Sequence, residues 1–231
     1  MTDTATVTPI EDHPAKFSTA IIEELVDILT THLEPHSKVL DPFAGTGLIH
    51  AIGELAGMST WGVEIEPEWA ALHEHTICGD SRDLAAVFGD DPVLFDAIVT
   101  SPAYGNRMAD NYDGRDGSRR HTYRIALRRP LTDGNGAALH WGPKYRRLHI
   151  DVWREAAAVL RPGGLFVVNV KDFIRKGKPV RVADWHRRVL TRVIGLELLE
   201  DRFVQTPGLR DGANADLRMD GEHIYVMRKP R

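Results

Sequence analysis

"KVLDPFAGTGLIHAIGELAGMSTWGVEIE", residues 38–66, decides the fold. "KVLD" (38–41) reads as a short strand, 47–56 as a helix and "TWGVEI" (60–65) as a second strand, with Gly45 and Gly47 in the turn between the first two. Glycines there let the backbone approach a ligand closely and leave helix N-terminal amides facing its negative group. A dinucleotide-binding turn would continue to a third small residue, but His50 occupies that place, which argues against NAD. Glu64 ends the second strand, where a carboxylate can take both hydroxyls of a ribose. Asp80 ends a third strand, "TICGD" (76–80), and could accept from an adenine amine. Open α/β sheets bind ligands at the carboxyl ends of their strands, so the ordered set Asp41, Gly45, Gly47, Glu64 and Asp80 predicts a site for an adenosyl ligand.

The same alternation continues outward. Before it, "STAIIEELVDILTTHL" predicts a helix capped by Ser18, with Ile21, Ile22, Leu25, Ile28 and Leu29 on one face. After it come strands at 94–100, 164–170, 196–204 and 223–228, and helices at 67–75, 148–160 and 181–194. Seven strands alternating with helices imply an α/β fold, a mostly parallel sheet covered on both faces. The last two strands are joined without a helical pattern, which predicts a hairpin-like return and an antiparallel final strand. Residues 105–147 show no clear periodicity and are too long for a simple connection, so they read as a functional insertion.

The 231 residues, 42% of them hydrophobic, suffice for one well-buried core, and the chain is read as a single domain, 1–231. One cysteine, Cys78, rules out an internal disulfide framework, and with no secretory signal or apolar run near 18 residues the expectation is a soluble cytoplasmic protein without a membrane partner. The net charge of −4 conceals an asymmetry: residues 105–147 carry ten Lys and Arg against four Asp. Eleven histidines are scattered without ligand spacing, so no metal site is expected. Trp61, Trp69, Trp153 and Trp185 sit in regular elements and read as core, whereas Trp141 lies in the insertion.

"TSPAYGNRM" (100–108) ends the fourth strand in a serine, a proline and a tyrosine. Alone, "SPAY" is an ordinary turn; following three strands that carry cofactor signals, it gains meaning. With "DPFAGTG" and "HPAKFS" (13–18), it resembles the S-adenosylmethionine-dependent DNA amino-methyltransferases, in one of their known motif orders. The resemblance runs from His13 through "LRPGGLFVVNVKDF" and implies a Rossmann-like methyltransferase fold with an antiparallel last strand. It implies that Asp41, Phe43, Gly45 and Gly47 surround the methionine part of S-adenosylmethionine, that Lys16, Phe17 and Ser18 close that end, and that Glu64 and Asp80 take the ribose and adenine. Ser101, Pro102 and Tyr104 would then be catalytic, the first two accepting amine hydrogens and the tyrosine stacking on a flipped base. Ala103 departs from the family's second proline.

Arg107, Arg115, Arg119, Arg120, Arg124, Arg128 and Arg129, interleaved with Tyr112, His121, Tyr123, Trp141 and Tyr145, are expected to contact DNA. Serine in the catalytic motif and the form of "HPAKFS" resemble cytosine-N4 enzymes more than adenine-N6 enzymes. The alternatives are a transfer-RNA guanine-N2 methyltransferase and an inactive partner subunit. Sequence specificity would come from the insertion, the loop "TPGLRDGANADLR" (206–218) or a second copy of the chain, and a restriction partner is a further expected partner. Glu64 is expected to be a surface acceptor, removable without harm to the fold.

Overall fold

The computed structural model describes residues 18–89, 94–105, 122–206, 217 and 219–231. Helix α1 (Thr19–His32) starts where Ser18 Oγ accepts from the Ile21 amide at 3.4 Å, and it buries Ile21, Leu25, Ile28 and Leu29. β1 (Lys38–Asp41), α2 (Leu48–Ala56) and β2 (Ser59–Glu64) follow as the glycine turn requires. Then come α3 (Pro67–Ala70), β3 (Thr76–Cys78), α4 (Leu84–Phe88) and β4 (Phe95–Thr100). α5 (Tyr123–Leu127) and α6 (Pro143–Ala158) lead into β5 (Leu160–Val170), the hairpin β6 (Phe173–Arg175) and β7 (Lys178–Val180), α7 (Val182–Arg192), β8 (Glu197–Gln205) and β9 (Gly221–Arg228).

Seven strands form one sheet in the order β3-β2-β1-β4-β5-β9-β8. β1 to β5 run parallel, and β9 lies antiparallel between β5 and β8. Near-continuous apolar runs in the central strands follow from burial on both faces. Val39, Ala97, Val99, Leu165 and Val167 pack under α1 and α2, while Leu40, Ile98, Phe166 and Val168 pack with Val152, Trp153, Ala183 and Leu190 of α6 and α7.

Several elements differ from the sequence reading: α4 and α5 were not expected, and β5 starts at Leu160 rather than 164. The helix expected over 67–75 stops at Ala70, and His73 turns back so that its Nε2 meets the Thr46 carbonyl at 3.1 Å. Helix α6 begins at Pro143 rather than 148, with proline in the first turn, where its missing N–H costs nothing. The β6–β7 hairpin was not anticipated; its two turn residues, Lys176 and Gly177, both have positive φ (51° and 71°), the type of turn a Lys-Gly pair can signal.

Under the sheet, α6 and α7 hold a chain of directed hydrogen bonds. Trp153 Nε1 donates to His186 Nδ1 at 3.2 Å, so His186 carries its proton on Nε2 and meets the Tyr145 hydroxyl at 3.0 Å. Tyr145 in turn donates to the Ala103 carbonyl at 2.7 Å. All three side chains are fully buried, which contradicts the expectation that Tyr145 contacts DNA. His149, also fully buried, meets the Tyr145 carbonyl through Nδ1 at 2.8 Å and leaves Nε2 without a hydrogen bond. Burial lowers its pKa from 6.5 to about 4.

That shift has a sign. Between pH 6.5 and 4 the unfolded chain protonates His149 and the folded chain does not, so this residue's contribution to stability falls with pH, by at most about 3 kcal/mol. The raised pKa values of Asp41 and Glu64 act in the opposite direction, so a variant comparison is needed. The urea midpoint of His149→Leu is expected to fall less on acidification than that of the unaltered protein; equal slopes in parallel titrations would contradict the assignment.

Candidate active site

Because β1 and β4 are neighbours, the glycine turn after the first and the "SPAY" turn after the second open side by side. Asp41 links them: its Oδ1 accepts from the Thr100 hydroxyl at 2.6 Å and from the Phe43 amide at 2.9 Å. Burial raises its pKa to about 6 against the opposing pull of both bonds. Phe43 is half-buried, its ring 5.4 Å from His149 and edge-on to Trp153 at 5.7 Å. Gly45 and Gly47 have φ of 54° and 80°. A Cβ on Gly47 would strike the His73 ring, so any side chain there meets both strain and a clash. His50, in the place where a dinucleotide turn would have a small residue, bridges the hydroxyls of Thr60 and Thr76 at 2.9 and 2.8 Å.

Glu64 is not the surface acceptor expected from the sequence. It is 7% exposed and accepts from the amides of Gly45 and Glu66 at 2.8 and 2.9 Å, so truncating it would strand two backbone donors. Burial pushes its pKa up to about 7. Asp80 stands beyond the end of β3, paired with the Arg82 guanidinium, which holds its carboxyl below the usual range. Next to it Ser81 donates to the Pro42 carbonyl at 2.6 Å, pinning the end of β3 to the glycine turn. Ser18 caps α1; Lys16 and Phe17 lie outside the described residues.

At the end of β4 the Ser101 and Tyr104 hydroxyls are 3.1 Å apart, and Tyr104 also donates to Glu222 Oε2 at 3.1 Å. Pro102 is buried between them in sequence, and the Ala103 carbonyl is held by Tyr145. Burial and the Glu222 charge raise the Tyr104 pKa well above its ordinary value. Asn169 Nδ2 completes the cluster, 2.8 Å from Glu222 Oε2 and 3.4 Å from Ser101 Oγ, and Lys171 Nζ is 3.4 Å from Glu222 Oε1. Sequence reading missed Asn169, Lys171 and Glu222. Asn169 lies at the end of β5 and Lys171 directly follows it, in "VVNVK", where the strand-end rule could have found them. Glu222 starts its strand, and it reaches this edge because β9 runs backwards.

The described part of the insertion is docked rather than loose. Glu66, fully buried, accepts from the Thr132 amide and hydroxyl at 2.9 Å each and from Asn135 Nδ2 at 2.6 Å, and Arg129 pairs with it at 2.7 Å. Arg129 also grips Glu68, so its charge is spent within the protein. Tyr123 packs edge-on against Trp69 at 5.1 Å and is 9% exposed, which removes it from the DNA contacts. Arg124 is exposed on α5, and Trp141 is half-buried with Arg146 4.8 Å over its ring. Arg107, Arg115, Arg119 and Arg120, with Tyr112 and His121, lie outside the described residues. Among the described residues no three His, Cys, Asp or Glu are placed to hold a metal, and no helix is long and apolar enough to cross a membrane.

Solved structures share this fold across most of the chain. TrmN from Thermus thermophilus matches with a TM-score of 0.54 at 18% identity, over 90% of this chain but only 48% of its own length. The complex of the Haloferax volcanii Trm112 methyltransferase activator with its methyltransferase gives 0.55 at 15% identity, over 90% of this chain and 88% of the other. A SAM-dependent methyltransferase from Methanosarcina mazei gives 0.54 at 12% identity, over 88% and 97%. The fold is that of the S-adenosylmethionine-dependent methyltransferases. No family model and no curated protein sequence matches the chain.

The Glu64 environment predicts a proton change on binding. With its pKa near 7, the carboxyl is largely protonated at pH 6.5, and hydroxyls donated by a ribose favour its charged form. Binding of S-adenosylhomocysteine at pH 6.5 is expected to release part of a proton, read by calorimetry in two buffers of different ionisation heat. Glu64→Gln should abolish the release and weaken binding at least about tenfold, the scale of one charge-assisted hydrogen bond.

Proposed function

We propose that the protein transfers a methyl group from S-adenosylmethionine to an exocyclic amine of a DNA base, with cytosine N4 favoured over adenine N6. The observation that carries this reading is the placement of a serine-proline turn directly beside the glycine turn, across the β1–β4 pair, with Ser101 Oγ in a polar cluster at the sheet edge. The residues fit the cofactor: positive-φ glycines bring backbone close to a ligand, and Glu64 has carboxylate lone pairs beyond the two taken by amides. When bound, S-adenosylmethionine supplies a methyl group on a sulfonium sulfur. The solved structure from Methanosarcina mazei, described as SAM-dependent, supports that choice through its fold.

The protein's task is to make the amine a nucleophile. Its nitrogen lone pair is delocalised into the base ring, and hydrogen bonds from both amine hydrogens draw the nitrogen toward a tetrahedral form whose lone pair is free. Ser101 Oγ accepts one hydrogen and the Pro102 carbonyl the other, and proline adds no N–H of its own to compete. Tyr104, its hydroxyl tied down by Ser101 and Glu222, forms a fixed wall for the base rather than a swinging one. Arg124 and the basic segment preceding it supply phosphate contacts.

Incubation with labelled cofactor and either duplex DNA or total transfer RNA, followed by nucleoside mass spectrometry, is expected to give N4-methylcytosine in DNA. N6-methyladenine would overturn the base, and label confined to RNA would overturn the polymer. Ser101→Ala should cut turnover about 100-fold while cofactor affinity stays within about twofold, since the lost group touches only the acceptor. Arg124→Glu should lower the slope of log affinity against log salt by at least about 1; an unchanged slope would make it a solubility charge.

A further inference from the structure

Methylating an amine leaves a proton to be disposed of, and the geometry points to Glu222 as its destination, through a relay of hydroxyls from Ser101 by way of Tyr104. This inference rests on the amine-methylation reading above. Ser101 Oγ and Tyr104 Oη are 3.1 Å apart, and Tyr104 Oη and Glu222 Oε2 are 3.1 Å apart. The direction of the chain follows from its end. A carboxylate has no hydrogen to give, so Tyr104 must spend its only one on Glu222; it can then only accept from Ser101. Ser101 therefore directs its hydrogen away from any ligand and keeps lone-pair capacity for an incoming N–H.

The surroundings hold the carboxylate in that role. Asn169 Nδ2 donates to the same oxygen, Oε2, at 2.8 Å, which fixes the amide orientation, because the reverse would set two acceptors against each other. The Asn169 Oδ1 is buried without a hydrogen-bond partner. On the far oxygen, Oε1, Lys171 Nζ lies at 3.4 Å and the Thr206 hydroxyl at 3.5 Å. Tyr104 and Lys171 are titratable groups in direct contact with Glu222. The Glu222 side chain is 16% exposed and that of Lys171 24%, so the relay ends near enough to solvent to be reset.

The atoms balance. As the amine nitrogen's lone pair forms the new N–C bond, the S–C bond of the sulfonium donor breaks and its electron pair stays on sulfur, while the positive charge passes to nitrogen. Ser101 Oγ takes one of the two nitrogen protons as its own proton moves to Tyr104 Oη and that of Tyr104 to Glu222 Oε2. The products are a neutral methylamine, a neutral thioether and a protonated carboxyl, which returns its proton to solvent before the next turnover.

Two measurements test this. In single-turnover transfer to duplex DNA, Glu222→Gln, which keeps the shape but cannot hold the proton, should slow the methyl step about 100-fold. It should also remove the fall in rate on the acid side, with cofactor affinity within about twofold. Tyr104→Phe breaks the relay at its middle and should slow the step similarly; near-unaltered rates and acid limbs in both variants would overturn the inference. The second measurement needs no cofactor or DNA. In proton NMR spectra of the free protein, the Tyr104 hydroxyl hydrogen, assigned by its loss in Tyr104→Phe, should shift upfield in Glu222→Gln, because its acceptor is no longer a carboxylate. A resonance unmoved by that change would also overturn it. If the unaltered protein methylates no nucleic acid, the substrate reading fails, while the hydroxyl resonance still decides whether Tyr104 donates to Glu222.

Discussion

One buried carboxylate sets the geometry on which the rest depends. Asp41 ends the central strand β1 and binds the Thr100 hydroxyl of β4 at 2.6 Å, one residue before Ser101. It also accepts from the Phe43 amide, which shapes the glycine turn. The two turns that would hold donor and acceptor are thus registered against each other by a side chain that neither turn contains. Its cost is desolvation, visible in a pKa raised to about 6, and two short hydrogen bonds offset it.

The second constraint acts from below. The chain from Trp153 through His186 and Tyr145 ends on the carbonyl of Ala103, the residue that stands where the motif this turn resembles has a second proline. A proline stiffens a turn from within by fixing φ. Here the turn is held from outside, by a tyrosine hydroxyl backed by a neutral buried histidine. Glu66 plays a comparable part for the segment after α5, gathering Arg129, Thr132 and Asn135 around one buried carboxylate. Both devices convert a length of chain with no periodic pattern into a rigid border of the site.

Much of this was legible in the sequence, for a local reason. The strands, the glycine turn and the serine-proline turn are each specified by neighbouring residues: apolar runs bounded by turn formers, glycines where φ must be positive, and a cap at Ser18. The positions of Asp41, Glu64 and Ser101 at strand ends followed from that alone, and so did the hairpin that reverses the last strand.

What the sequence could not decide is what distant segments do to one another. Glu64 reads as an exposed strand-end acid, and only packing against the Gly45 and Glu66 amides makes it buried. Tyr123, Tyr145 and Arg129 read as nucleic-acid contacts because they sit in a basic, aromatic stretch, yet contacts with Trp69 and His186 commit the two tyrosines to the interior, and Glu66 and Glu68 take up the charge of Arg129. Glu222 lies more than a hundred residues from Ser101 along the chain and at the beginning of a strand, where no local rule looks for a functional acid. The antiparallel pairing of β9 with β5 carries it to the edge where the parallel strands end, beside Asn169, Tyr104 and Ser101. Local sequence determined the elements and their turns, because backbone preferences act over a few residues; strand order and direction decided which side chains meet, because those are properties of the whole sheet.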